Sequence, residues 1–258
     1  MGQSMKDLFS IKDKVVIITG GGGTGMANHI SNEMAKQMSY VYSIDVRFPN
    51  PVPIGLEKNL FQIKCDITDY HKFQNAVDKI FIKYEKIDVL INGAGITTPA
   101  VDGNFYPLDI WNKTVDVNLT AAFTCSQSVI KHMIKKRAGS IINFTSINAE
   151  MAFPNNPAYV ASKGGLKMLS KALAKDWGKY GIRVNSIGPG YMKTEMTKKS
   201  YSDPKRRQAR TKRTLLGRWG EKDDIVGPCI FLASDASRYV TGQDIYVDGG
   251  WLANGLSE

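Results

Sequence analysis

Cysteine and histidine are scarce in this 258-residue sequence, and no long apolar run interrupts it. The three cysteines, Cys65, Cys125 and Cys229, lie far apart. That excludes a disulfide framework and any Cys-x-x-Cys metal or redox motif, and the three read as buried, reduced thiols. His29, His71 and His132 are equally dispersed and form no ligand pattern, so no metal is expected. No uncharged apolar stretch approaches about 18 residues, which argues against a spanning helix and a membrane partner. The start, Met1 to Ser10, is polar, holds Lys6 and Asp7, and is unlike a secretory leader. Its Met-Gly opening has Lys6 where myristoylation favours Ser or Thr. A cytoplasmic location is the expectation.

What is present is ordinary in bulk. Hydrophobic residues make up 43% and charged residues 22%, which excludes a disordered, collagen-like or coiled-coil chain. The length fits one large α/β domain with a sizeable core. The formal net charge is +10, from 34 Lys and Arg against 24 Asp and Glu. Such an excess fits nucleic acid, an anionic surface, an acidic substrate or simply a solvated exterior. No nucleic-acid motif accompanies it, so no nucleic-acid partner is expected.

Short β-branched runs alternate with helix-period stretches. The runs are Val15 to Thr19, Tyr40 to Asp45, Ile87 to Asn92, Ser140 to Phe144, Ile182 to Ile187 and Ile245 to Val247. They are apolar on both faces and end in turn residues, as buried parallel strands do. The helical stretches are Asn28 to Gln37, His71 to Lys83, Asp109 to Lys136 and Tyr159 to Tyr180. This alternation predicts a single-domain, doubly wound (Rossmann) α/β fold over residues 1–258, with a parallel sheet of about seven strands and helices on both faces. Residues 191–220 are polar and weakly patterned, and read as a substrate-loop insertion beyond the strand ends.

Two constellations carry chemistry. The first strand runs into Gly20-Gly21-Gly22-Gly23-Thr24-Gly25-Met26, and Asp45 closes the second strand 20 residues after Gly25. A glycine turn lets backbone approach a pyrophosphate at a helix N-terminus, and an acid at that spacing suits adenosine ribose hydroxyls. The carboxylate repels a 2′-phosphate, so NAD is expected ahead of NADP, with neighbouring Arg47 as the counterweight. The second constellation is Tyr159 and Lys163, four apart on one helix face. A nearby ammonium lowers a phenol's pKa, fitting Tyr159 for proton exchange during hydride transfer.

With its surroundings, this pattern resembles the short-chain dehydrogenase/reductase family from about Phe9 to Gly250. Ser146 stands 13 residues before Tyr159, Asn118 lies in Asp116-Val117-Asn118-Leu119, and Asn92-Gly93-Ala94-Gly95 matches Asn-Asn-Ala-Gly with one substitution. Pro189, Gly190 and Thr194 match Pro-Gly-x-x-x-Thr, Asp66 stands in Cys65-Asp66-Ile67, and Val247 to Gly250 matches Val-Asp-Gly-Gly. The resemblance implies Tyr159 as general acid/base and Lys163 as its pKa modulator and a ligand of the nicotinamide ribose. Ser146 would hold the substrate oxygen, and Asn118 a water in a proton relay. Cofactor contacts implied are Gly20, Thr24, Gly25, Met26, Asp45, Asp66, Ile67, Asn92, Gly93, Ala94, Tyr159, Lys163, Pro189, Gly190, Met192 and Thr194. A homotetramer, built on the two long central helices and the C-terminal strand region, is implied as well. The glycine loop departs from the family pattern: it carries one extra residue, and Ala27 replaces the third glycine.

The segment Ser146-Ile147-Asn148-Ala149-Glu150 is similar to that of gluconate 5-dehydrogenase-like members, as are Gly190 to Thr197, Lys212-Arg213-Thr214 and Gly217 to Gly220. Substrate contacts are therefore expected from Ser146, Asn148, Glu150 and Tyr159. That branch carries an Arg pair after its Asn-Ala-Gly motif, whereas this chain has Ile96-Thr97-Thr98-Pro99. A neutral sugar or polyol is the first expectation, a sugar acid the second, and an NADPH-dependent 3-oxoacyl-carrier-protein reductase the third. The basic run from Lys193 to Arg213 either clamps an anion or faces water.

Overall fold

A computed structural model describes residues 5–98 and 100–255. The expectations for the Met-Gly start and for Pro99 lie outside the described residues. In chain order, the elements are α1 (Met5–Leu8), β1 (Val15–Thr19), α2 (Met26–Lys36), β2 (Tyr40–Asp45), β3 (Leu60–Lys64), α3 (Tyr70–Tyr84), β4 (Val89–Asn92), α4 (Leu108–Val115), α5 (Ala121–Lys136), β5 (Gly139–Phe144), α6 (Pro157–Trp177), β6 (Ile182–Pro189), α7 (Lys198–Ser202), α8 (Pro204–Arg213), α9 (Val226–Ala233) and β7 (Asp244–Val247). The strands form one seven-stranded parallel sheet in the order β3-β2-β1-β4-β5-β6-β7.

Strand periodicity explains the two-layered core. Alternate residues of β1 point to opposite faces. Val15 and Ile17 pack with α3, α5 and α6 residues such as Phe73, Val129 and Leu173. Val16 and Ile18 pack with α2 and α9 residues such as Ile30, Met34 and Leu232. The strand order reverses between β1 and β4, and the crevice beyond the strand ends at such a switch point is where open α/β sheets bind ligands.

Three features differ from the sequence reading. β3 has no fully apolar run, because at the sheet edge only Leu60 of its five residues is buried. The helix expected from Asp109 to Lys136 is interrupted by a π-turn over Asp116–Thr120, centred on Asn118. Residues 191–220 are more ordered than their composition implies, since they contain α7 and α8. Asp203 caps α8 by accepting the N–H groups of Lys205 (2.9 Å) and Arg206 (3.2 Å), Pro204 opens it, and Arg210, Lys212 and Arg213 occupy its last turn. An acidic cap, Pro at the first turn and cations at the carbonyl end all favour a helix, which is how a basic run folds here.

Candidate active site

The crevice begins where β1 ends. Gly20 has φ +82°, donates its N–H to Ile44 O at 2.8 Å, and would place a Cβ 2.6 Å from Ala94 Cα. Only glycine satisfies both that backbone and that approach. The longer loop folds inward over the end of β2. Gly22 N–H donates to Asp45 Oδ2 at 2.9 Å, and a Cβ on Gly22 would lie 1.8 Å from Arg47 O. Gly25 then starts α2 without a side-chain cap, so its first N–H groups face the crevice end of the helix without an anionic partner of their own.

The two departures in sequence pattern meet here. Ala27 is buried, and a Cβ on Gly93 would fall 3.0 Å from the Ala27 methyl and 2.9 Å from Thr19 O. The methyl gained at Ala27 thus sits where Gly93 has lost a side chain.

The four expected reacting residues converge at the ends of β4 and β5, the π-turn and α6. Lys163 is buried, and its Nζ donates to Phe144 O at 2.6 Å. It stands 5.7 Å from the Tyr159 ring centre. Burial lowers its pKa to about 8. Tyr159 is half-buried; desolvation raises its pKa, and a hydrogen bond with Ser146 opposes the rise. Ser146 lies at the end of β5, accepts Asn148 N–H at 3.1 Å and donates to Asn148 Oδ1 at 3.2 Å. Asn118 is buried, with its amide bonded to Ile96 N (2.8 Å), Ile96 O (2.9 Å) and Ser162 Oγ (3.1 Å). Gly95 leaves room there: a Cβ would stand 3.4 Å from both Asn118 Oδ1 and Lys163 Nζ.

An aromatic cluster borders the segment between Ser146 and Tyr159. Tyr191 leaves the end of β6 and packs 5.2 Å from Trp219, 4.8 Å from Trp251 and edge-on to Phe153 at 6.2 Å. Trp251 Nε1 donates to Met151 Sδ at 3.3 Å. Sequence patterning missed this cluster, because its members come from four separated segments.

Comparison with known proteins decides the family. A family model described as enoyl-(acyl carrier protein) reductase matches residues 22–252. The chain is 35% identical to a 2-dehydro-3-deoxy-D-gluconate 5-dehydrogenase of Pseudoalteromonas atlantica, covering 96% of this chain and 99% of that one. It is 35% identical to the 5-keto-D-gluconate 5-reductase of Escherichia coli, with the same coverage. Among solved structures, a gluconate 5-dehydrogenase from Burkholderia cenocepacia in complex with NADP and tartrate superposes with TM-score 0.89 at 32% identity, covering 96% and 98% of the two chains. The chain belongs to the short-chain dehydrogenase/reductase family. It is an oxidoreductase acting on CH–OH groups with a nicotinamide cofactor.

Within that family frame, the remaining site residues sort by where their side chains stand. The glycine cradle, the uncapped helix start and the Asp45 carboxylate fit a dinucleotide. Ala94 N–H reaches Thr19 Oγ1 at 3.3 Å, so the β4 end closes on the β1 end. Gly190 passes Asp248 so closely that a Cβ would lie 2.7 Å from its Cα. Asp66 borders a cleft with Thr68, Asn112, Lys113 and Thr120, although Thr68 already uses its Oδ1. Asn92 stands apart: its amide is buried among Ala122 O, Ser126 Oγ and Asn143 Oδ1, so this side chain braces β4 against α5 and β5. Met192 and Ile67 are core side chains, and Thr194 caps the turn at Glu195–Thr197. Glu150 is already engaged by Lys167 and by Tyr246 Oη, the latter at 2.7 Å.

One clasp was not foreseen. Lys222 Nζ donates to Thr24 O at 3.0 Å, and His29 Nε2 meets Asp223 Oδ1 at 2.5 Å. The chain just beyond the 191–220 segment is thus tied to the glycine loop and α2. Among the described residues, no cluster able to hold a metal is found, and no helix is long and apolar enough to cross a membrane.

Proposed function

We propose that this enzyme interconverts a secondary alcohol and a ketone on a polyhydroxy acid, with NAD(H) preferred over NADP(H). The observation that carries the reading is the convergence of Ser146, Tyr159 and Lys163 at the crevice. The gluconate-type names of the relatives move the substrate from the neutral polyol first expected to a sugar acid.

In this reading, Ser146 and Tyr159 hydrogen-bond the substrate oxygen and fix it in place. During oxidation, Tyr159 Oη takes the hydroxyl proton and passes it towards solvent; during reduction, it returns a proton to the new alkoxide oxygen. The bound nicotinamide supplies or takes up the hydride. Lys163, with a pKa of about 8, exchanges protons readily near neutral pH and places its positive charge beside the phenol. Asn118 positions the Ile96 backbone and α6 through its amide, whose two N–H donors are both used, so a relay water would be held by its acceptors.

The glycine loop and the α2 N-terminus would hold the pyrophosphate, Asp45 the adenosine ribose, and Asp66 and Ile67 the adenine. Tyr159 and Lys163 would hold the nicotinamide ribose, with backbone from Pro189 to Thr194 beside it. The Asp45 carboxylate supports NAD(H); the NADP-bound relative marks the competing preference. A 35% identical relative from Thermotoga maritima, named as a 3-oxoacyl-[acyl-carrier-protein] reductase, favours one second reading, reduction of 3-oxoacyl thioesters on a carrier protein. A homotetramer is part of the proposal.

The test is an initial-rate panel of sugar acids, polyols and 3-oxoacyl thioesters with each cofactor. Turnover of an aldonate or keto-aldonate at the highest kcat/KM, with NAD(H) at least about tenfold better, is expected. A strong NADPH preference on a thioester would replace this reading by the second.

A further inference from the structure

Nine of the 34 Lys and Arg residues fall between Lys193 and Arg213. Several have carboxylate partners: Lys193 with Glu221, Lys198 with Glu195, and Arg206 with Asp203. Arg207 and Arg213 are exposed over the rings of Tyr201 and Trp251.

Arg210 differs from all of them. Its guanidinium is half-buried, lies 4.3 Å over the Tyr191 ring and 5.8 Å from the Trp219 ring. Its Nη1 is shielded from solvent and has no hydrogen-bond partner among the described residues. A shielded guanidinium donor without an acceptor is costly, and such groups call for an explanation. Arg210 also hydrogen-bonds the Tyr191 side chain, while stacking uses the face of the guanidinium and leaves the Nη1 edge without an acceptor; such in-plane N–H groups are what a carboxylate takes.

The location fits a substrate contact. Tyr191, beneath Arg210, touches Phe153 and Trp251, and Trp251 bonds Met151. Met151 and Phe153 lie on the segment that joins Ser146 to Tyr159. Arg210 therefore stands over the wall of the crevice that carries the reacting residues.

We propose that Arg210 is the specificity-determining residue that receives the carboxylate of the sugar-acid substrate. It supplies the charge that Ile96, Thr97 and Thr98 lack. This inference rests on the sugar-acid reading above.

The experiment compares an aldonate, or its keto form, with the neutral carboxamide of the same acid. Wild type, Arg210→Met and Arg210→Lys are assayed for kcat and KM, and cofactor affinity is read by reduced-nicotinamide fluorescence. Arg210→Met is expected to raise KM for the acid by roughly 10- to 100-fold, with smaller change in kcat, little change for the amide and unaltered cofactor affinity. Arg210→Lys recovers part of the loss, because it keeps the charge without the bidentate edge. An unchanged acid-to-amide ratio in Arg210→Met, or equal losses on acid and amide, overturns the assignment. A wild-type enzyme that turns over neither acid nor keto-acid overturns the sugar-acid reading itself, and Arg210 as its carboxylate receptor with it.

Discussion

Lys163 shows how far one residue's behaviour depends on burial. The residue is only 4% exposed, and desolvation lowers its pKa from 10.5 to about 8. Between those values the unfolded chain binds more protons at this residue than the folded one, so stability from this group rises with pH. The penalty is fully present below about pH 8 and is relieved towards pH 10.5. Wild-type stability relative to Lys163→Met, in cofactor-free urea melts, is expected to rise by on the order of 3 kcal/mol across that window. A flat difference would contradict the assignment. The Tyr159, Lys163 and Ser146 set was legible because its members lie close along the chain at spacings that secondary structure fixes. The partners of Glu150 were not, because Tyr246, which donates to Glu150 Oε1, lies 96 residues away. The setting of Asn92 was hidden for a related reason: sequence places it at a strand end, but only packing turns its amide inward between β4, α5 and β5.

Elements repeat the lesson at larger spacing. The runs of β1, β2 and β4 to β6 were legible because strands buried on both faces cannot hide their composition; of the two edge strands, half-buried β7 still shows an apolar Ile245-Tyr246-Val247 run, whereas β3 mixes Gln62 and Lys64 into its own. The π-turn at Asn118 was invisible, because its residues read as ordinary helix; such bulges gather at functional sites. The Ala27 and Gly93 contact gives the sharpest element-level prediction. Gly93→Asn alone forces a Cβ within 3.0 Å of Ala27 and 2.9 Å of Thr19 O, and should cost about 1–3 kcal/mol. Adding Ala27→Gly should recover part of it, beyond helix propensity, in a double-mutant cycle read by thermal melts. Strict additivity would mean that the two positions do not share the space between α2 and β4.

For the molecule as a whole, the +10 charge divides into parts with different work. Much of the share between Lys193 and Arg213 is paired with carboxylates or stacked on aromatic rings, and just beyond it Lys222 ties the segment's end to the glycine loop. Removing that tie by Lys222→Ala should weaken cofactor binding several-fold in a fluorescence titration, while leaving the melting temperature of the cofactor-free protein within about 1 °C, as for an ordinary surface substitution. Light scattering should give four times the 28.5 kDa chain mass. The central claim is that Tyr159 moves the proton as hydride moves at a sugar-acid carbon. Its most direct test is kcat of Tyr159→Phe on the best sugar-acid substrate, alongside circular dichroism. A fall of roughly 10²–10⁴ with the spectrum unchanged is predicted; a folded variant with near-wild-type kcat would contradict it.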